Sequence, residues 1–144
     1  MMINDMRKEI IMENYMHPYH RKDIDDKAYV KVNANSESCI DNIDLYVLFE
    51  GDKIKDLYFN GEACAISTSA TSIMIKLLIG KTIIEVKELM KNYDNMINEG
   101  EYDEELLGEA IVYDDIYKQA NRKGCAMIPW KAIEKAIMIY ESEK

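Results

Sequence analysis

The sequence predicts an α+β fold in which a small antiparallel sheet packs against helices. Three observations support this class. The first residues show a loose helical spacing, residues 43–59 carry the alternation of a β-hairpin, and helical periodicity resumes at residue 66. The resulting order is a helix, a small antiparallel sheet and then further helices.

Composition indicates one soluble domain. We expect residues 1–144 to form a single domain with its own core, since 48% of the residues are hydrophobic and 31% are charged. No window has the roughly 18 apolar residues of a membrane helix, and the N-terminal segment lacks the apolar block of a signal peptide. We therefore expect a cytoplasmic protein that does not enter a membrane.

The charge limits the class of partner. The formal net charge is −9, whereas nucleic acid is bound through a basic surface, so no nucleic-acid partner is expected. An acidic surface suits cations or a basic protein. The three cysteines, an odd number, are not expected to form a disulfide framework in the cytoplasm, which leaves free, buried or metal-bound thiols.

The first elements follow from periodicity. Residues 3–16 are predicted to form a helix whose apolar side chains lie loosely on one side: Ile3, Met6, Ile10, Met12 and Met16. The polar segment 17–26 contains Pro18 and ends this helix. Residues 28–32 alternate and predict a short strand.

A β-hairpin is the clearest local pattern. Alternating apolar residues flank a Gly51-Asp52 turn. A two-residue loop and a three-residue loop are both compatible with the pattern. We prefer the three-residue loop, because it places Leu57 and Phe59 on the same face as Leu45 and Val47.

Helices are predicted for most of the remaining chain. One runs from Ile66 to Gly80, which is a suitable stop. A second covers residues 81–97, with a capping box formed by Thr82 and Glu85. The acidic segment 98–119 has only short helical signals, and the last helix is expected to begin near Pro129.

The hairpin brings chemically interesting residues together. It carries Cys39 and Cys64 to the same end of the sheet, and Asp41 lies on the same side of the strand as Cys39. Cys39 and Cys64 face opposite ways in the preferred register, so a bulge or loop beyond the strand ends has to correct their orientation. Cys125 is also predicted to lie at an element boundary.

Cys64 is predicted at a strand-to-helix junction, where helix N–H groups favour a thiolate. It is therefore a candidate nucleophile or metal ligand, although a small buried cysteine in a tight turn fits the same pattern. Two thiols and one carboxylate are three of the four ligands that zinc requires. Because the sequence has no C-x-x-C pair, spacing alone leaves metal binding and a structural role both open.

Three other motifs are weaker candidates for a functional site. His17 and His20 are interpreted as solvated loop residues, although a pair of histidines can also bind metal. The acidic segment lacks the ligand positions of a calcium loop. The sequence Gly80-Lys81-Thr82 lacks the upstream glycines of a phosphate loop and is interpreted as a helix stop followed by a cap.

Four segments carry a family resemblance. They are "IIMENYMHP" at 10–18, "CID" at 39–41, "GEACAISTSATSIM" at 61–74 and "NRKGCAMIPWKAIEKAI" at 121–137. The three cysteines are separated by intervals of 25 and 61 residues. In these respects the chain resembles the U-type iron–sulfur cluster assembly proteins of the SufU/IscU family. The long second interval is similar to the SufU branch.

The resemblance implies a fold with a three-stranded sheet and a zinc site with four ligands: Cys39, Asp41, Cys64 and Cys125. It implies that Cys39 accepts a persulfide from a PLP-dependent, SufS-like cysteine desulfurase, that Arg122 supports the site, and that sulfur passes to a downstream cluster assembly complex. In the IscU-like alternative, a non-enzymatic scaffold assembles a transient iron–sulfur cluster on Cys39, Cys64 and Cys125. A zinc-stabilised interaction module is the third hypothesis.

Ile40 and Gly124 are departures from the family pattern. Ile40 replaces the glycine between the first cysteine and the aspartate, and a β-branched residue stiffens that loop. Gly124 stands where relatives commonly have histidine or lysine, which weakens the scaffold hypothesis.

Overall fold

The computed structural model describes residues 4–35 and 40–143. Within these ranges the chain forms five α-helices and a three-stranded antiparallel sheet of order β1-β2-β3. The helices are α1 (Asn4–Met16), α2 (Ala65–Leu78), α3 (Ile83–Ile97), α4 (Glu104–Leu107) and α5 (Ala120–Ser142), and the strands are β1 (Val30–Asn35), β2 (Asn42–Glu50) and β3 (Lys53–Glu62). Two short 3₁₀ helices, Gly108–Tyr113 and Ile116–Lys118, connect α4 to α5. The predicted α+β class is confirmed.

The β2–β3 hairpin has a two-residue loop, so the preferred three-residue loop is wrong. Glu50 pairs with Lys53 across the Gly51-Asp52 turn, and Gly51 adopts a φ of +63° that glycine tolerates without strain. A bulge next to the turn then shifts the register by one residue. The bulge produces the predicted facing, because Leu45 pairs with Phe59 and Val47 with Leu57 inside the core.

Helix α2 is buried along nearly its whole length, including its hydroxyl residues. Each buried hydroxyl has a hydrogen-bond partner, and several partners lie on other elements: Ser69 contacts Tyr113, and Ser72 donates to Asn14. Because these bonds offset the cost of burying polar groups, a helix with low intrinsic propensity is stable in the centre of the domain.

The inward face of helix α1 mixes polar and apolar side chains, and the predicted apolar stripe is wrong. Met6, Met12 and Met16 are exposed, whereas Arg7 and Asn14 are buried. Ile10 is half-buried, and Ile3 lies outside the described residues. Asn14 is buried because α2 presents a buried hydroxyl and a lysine that bond to it, and Arg7 is buried against Asp114.

Substituting Asn14 with alanine is expected to destabilise the protein by about 2 kcal/mol. The side chain accepts hydrogen bonds from Ser72 Oγ (2.8 Å) and Lys76 Nζ (2.9 Å), and its loss leaves the buried Ser72 hydroxyl without its acceptor. Urea unfolding followed by circular dichroism measures the change. Met16→Ala on the same helix is the control and should change stability by less than about 0.5 kcal/mol, because Met16 is 64% exposed. Equal losses in both variants would contradict the prediction.

Helices α3 and α5 complete the core beside the sheet. The predicted capping box of α3 is confirmed, with Thr82 and Glu85 exchanging hydrogen bonds. The Tyr93 ring stacks on Trp130 of α5 with 4.5 Å between ring centroids, and its hydroxyl donates to the Ala126 carbonyl at 2.8 Å. These contacts fix the position of the part of α5 that contains Cys125.

Candidate metal centre

Three of the four predicted ligands converge from three different parts of the fold. Asp41 immediately precedes β2, Cys64 precedes α2, and Cys125 lies in α5. One ligand atom from each of them can be chosen so that all three atoms lie within 4.8 Å of one another. Asp41 and Cys125 are buried and Cys64 is half-buried. The cluster therefore lies at the edge of the core, at the end of the sheet opposite the hairpin turn.

Cys64 is the N-cap residue of α2. Its backbone is extended (φ −66°, ψ 170°), and its Sγ accepts a hydrogen bond from the Ser67 N–H at 3.4 Å. The thiol thus takes the place that serine or aspartate takes in most helix caps. The first turn of α2 directs an N–H group at the sulfur, and such a group stabilises negative charge on a ligand atom.

Asp41 is held by donors on both carboxylate oxygens. Oδ1 accepts from the Cys64 N–H at 2.7 Å, and Oδ2 accepts from Ser67 Oγ at 2.6 Å while lying 3.8 Å from Cys64 Sγ. Burial raises the pKa of Asp41, but the hydrogen bonds from Ser67, the Cys64 backbone, Cys125 and the Cys64 thiol together outweigh burial, so the pKa is lowered. Asp41 is therefore ionised at neutral pH.

The lowered pKa of Asp41 predicts acid sensitivity of the metal-free protein. The pKa of an aspartate in an unfolded chain is about 4. A lower pKa in the folded state means that ionised Asp41 contributes stability above about pH 4, and that this contribution is lost as pH falls through the folded pKa. Urea unfolding from neutral to acidic pH with EDTA should show the stability gap between wild type and Asp41→Asn closing in acid. A constant gap would contradict this expectation.

Cys125 is placed differently from the sequence prediction. Helix α5 begins at Ala120 rather than near Pro129, so Cys125 lies inside the helix and not at an element boundary. Pro129 is buried within α5, where it has no N–H to donate to the carbonyl four residues earlier, that of Cys125. Ser67 Oγ on α2 lies 3.1 Å from this carbonyl oxygen.

The described ligands suit zinc. Zinc prefers thiolate, imidazole and carboxylate ligands in a tetrahedron. With metal–ligand distances of about 2.0–2.3 Å, ligand atoms in such a tetrahedron are roughly 3.5 Å apart. The Oδ2 atom of Asp41 and the Sγ atom of Cys64 are 3.8 Å apart, close to that value. Cys39, the fourth predicted ligand, lies outside the described residues.

Ile40 and Arg122, which the sequence analysis also named, are close in sequence to members of the Asp41, Cys64 and Cys125 cluster. Ile40 is 75% exposed although it immediately precedes the buried Asp41. Arg122 is exposed, one turn before Cys125, and lines a groove of about 500 Å³ together with Arg7 and the first residues of α2. Arg122 forms no ion pair with any residue that the structure describes.

The histidines are not part of the described cluster. His17 is exposed, as predicted, but the interpretation of His20 as a solvated residue is wrong. Its ring stacks between Tyr19 and Tyr58, with centroid distances of 3.9 and 4.4 Å, and Nδ1 lies 2.9 Å from the Leu57 carbonyl. His20 therefore attaches the segment after α1 to strand β3.

Ser67 is the site residue that sequence reasoning missed. The available signal was its position three residues after Cys64, where a helix presents its N–H to the capping side chain. The sequence interpretation grouped Ser67 with the other small hydroxyl residues of α2. Its contact with Asp41 depends on the sheet and is not encoded in local spacing.

Two thiols and a buried carboxylate at the end of a three-stranded sheet define a small protein of the α+β class with a candidate metal centre. The family model described as the NifU-like N terminal domain matches residues 6–144, and the chain belongs to this family. Among the described residues, no helix is long and apolar enough to cross a membrane.

Curated relatives match nearly the whole chain, among them a sulfurtransferase and a scaffold protein. The zinc-dependent sulfurtransferase SufU of Bacillus subtilis is 30% identical over 136 residues, which cover 94% of this chain and 91% of SufU. The iron-sulfur cluster assembly scaffold protein IscU of Streptococcus pyogenes serotype M1 is 31% identical over 136 residues, which cover 94% of this chain and 84% of IscU.

Solved structures show the same architecture. A putative iron-sulfur cluster assembly scaffold protein for the SUF system from Fervidobacterium islandicum superposes with a TM-score of 0.80 at 37% identity, covering 92% of this chain and 97% of that one. The N-terminal part of a NifU-like protein from Brucella abortus has a TM-score of 0.88 and covers 100% of both chains, but it is 17% identical and supports the fold alone.

Proposed function

We propose that this chain is a zinc-bound persulfide acceptor that relays sulfur from a PLP-dependent cysteine desulfurase to a downstream cluster assembly complex. The observation that carries the proposal is the convergence of Asp41, Cys64 and Cys125 within 4.8 Å. The name of the SufU relative, a zinc-dependent sulfurtransferase, is consistent with it. The extent of the family match supports treating residues 1–144 as a single domain, and we propose a cytoplasmic location.

In this proposal Cys39 is both the fourth zinc ligand and the persulfide acceptor. When bound, zinc keeps the thiols deprotonated and lowers their nucleophilicity. The Cys39 thiolate attacks the terminal sulfur of the desulfurase persulfide. A new S–S bond forms, the S–S bond of the desulfurase breaks, and the desulfurase cysteine leaves as a thiolate.

Arg122 has a supporting electrostatic role in this proposal. Three thiolates, one carboxylate and Zn²⁺ sum to a charge of about −2. Arg122 lies in the first turn of α5 and lines the same groove as Ala65, which follows Cys64. A guanidinium at this position offsets part of the negative charge and attracts an anionic persulfide.

Zinc analysis combined with a desulfurase assay tests the proposal. The purified chain should contain about one zinc per molecule. It should increase the turnover of a PLP-dependent cysteine desulfurase and acquire a persulfide on Cys39. Asp41→Ala should lower the zinc content. Cys39→Ser should abolish sulfur uptake, whereas the neighbouring Ser38→Ala should not. Absence of zinc from the wild type, or no gain in turnover, rejects the proposal.

The second candidate is a scaffold that assembles a transient iron–sulfur cluster on Cys39, Cys64 and Cys125. The match to the IscU relative favours it. Anaerobic reconstitution with iron and sulfide distinguishes the two functions: a labile cluster that transfers to an apo-acceptor supports the scaffold, and failure to form one counts against it. Unchanged partner binding and unchanged sulfur uptake in Cys39→Ser would instead support a zinc-stabilised interaction module.

A further inference from the structure

One serine touches all three described members of the metal centre. Ser67 is fully buried. Its hydroxyl donates to Asp41 Oδ2 at 2.6 Å and lies 3.1 Å from the Cys125 carbonyl oxygen, while its N–H donates to Cys64 Sγ at 3.4 Å. Three parts of the chain that are distant in sequence therefore meet at this residue.

The hydroxyl has one proton and two acceptors within reach. The Asp41 carboxylate is the closer of the two and carries the charge, so it receives the charge-assisted hydrogen bond. The Cys125 carbonyl oxygen lies 3.1 Å from the same serine oxygen and is the second acceptor, so α5 approaches α2 closely at this point. This arrangement restricts Ser67 to one orientation and, through it, orients Asp41.

We propose that Ser67 is the positioning residue of the metal centre, holding the Asp41 carboxylate toward the two thiols. The inference rests on the proposed function only in that a metal uses these ligands. Without the Ser67 hydroxyl, Asp41 loses its 2.6 Å hydrogen bond and keeps those from the Cys64 N–H and the two thiols, so its carboxylate is less restrained. The need to reorient a ligand on binding lowers metal affinity.

Another serine of α2 provides a matched control. Ser72 is also fully buried and donates to Asn14 Oδ1 at 2.8 Å, but it lies more than one turn further along the helix, where its hydroxyl bonds to α1 and the segment after it. Ser72→Ala removes a comparable buried hydroxyl. It therefore reports the cost of weakening α2 without disturbing Asp41.

Competition for Zn²⁺ with a chromophoric chelator measures the effect. Ser67→Ala should bind Zn²⁺ about 10–100-fold more weakly than wild type, the range typical for loss of a group that orients a metal ligand, and Ser72→Ala should show no such loss. Ser67→Thr keeps the hydroxyl and should lie closer to wild type than Ser67→Ala. With Co²⁺ as the probe, the visible bands should change in Ser67→Ala and not in Ser72→Ala.

A metal-free measurement separates this inference from the proposed function. In the apo protein, amide hydrogen exchange at Cys64 should be faster in Ser67→Ala than in Ser72→Ala, because a mobile Asp41 is a weaker acceptor for that N–H. Wild-type protein that binds no zinc rejects the proposed function. Equal Cys64 exchange in the two variants, or equal Zn²⁺ affinities, overturns the role of Ser67.

Discussion

A Cys64→Ser substitution is expected to lower zinc affinity by more than about 100-fold and to leave the metal-free fold intact. Four-ligand zinc sites contribute about 10–16 kcal/mol in total, so losing one thiolate costs roughly 3 kcal/mol. Serine is a better N-cap than cysteine and can accept the hydrogen bond that Cys64 Sγ accepts from the Ser67 N–H. Chelator competition measures the affinity, and urea unfolding with EDTA measures the stability.

Cys64→Ala is the matched comparison. It removes the same ligand and also the cap, so it should bind zinc as weakly as Cys64→Ser and be about 1 kcal/mol less stable without metal. If Cys64→Ser retained wild-type zinc affinity, Cys64 would not be a ligand. If the two variants were equally stable without metal, the capping role of the side chain would be excluded.

The Gly61→Ala substitution is expected to cost more than about 3 kcal/mol of stability. Gly61 pairs with Ile43 in the β2–β3 ladder and adopts a φ of +136°, which residues with side chains rarely adopt. A Cβ atom here would overlap the carbonyl oxygen of Asn42, a backbone atom that can move only if the strands separate. Because Asn42 follows Asp41, this separation should also weaken zinc binding.

Gly51→Ala is the control for Gly61→Ala. Gly51 also has a positive φ, of +63°, but a Cβ atom at this position would have nothing within 4 Å. Its substitution should cost only the backbone strain of about 1–2 kcal/mol and should not change zinc affinity. Thermal or urea unfolding of both variants provides the test. Equal losses would show that the overlap with Asn42 is not the cause.

Much of the fold was predictable because it depends on local chemistry. The alternation of the hairpin, the capping box of Thr82 and Glu85, and the helix after Cys64 all involve residues close in sequence, and the structure confirms them. The start of α5 was not predictable in the same way. Pro129 is buried inside the helix, and the contacts that stabilise α5, such as the Tyr93 hydrogen bond to the Ala126 carbonyl, come from other parts of the chain.

In the candidate site, too, the features that depend on local sequence were predictable and those that depend on long-range packing were not. The position of Cys64 at a helix N-terminus and its proximity to Asp41 followed from the hairpin. Cys125 was placed at an element boundary, and only the family resemblance made it a ligand, since 61 residues separate it from Cys64. No local periodicity relates two residues at that distance. Its approach to the other ligands requires the packing of α5 on α2 and α3, including the Tyr93 hydrogen bond to Ala126.

By itself the sequence determined the α+β class, the hairpin facing, the capping box of α3 and the residue types that suit zinc, because these depend on neighbours in the chain. Only the tertiary structure decided that Arg7 and Asn14 of α1 are buried, that Cys125 lies within a helix and that Ser67 contacts the three described candidate ligands. The physical reason is that a buried polar group must find a partner, and the partner that meets this need can come from any part of the chain.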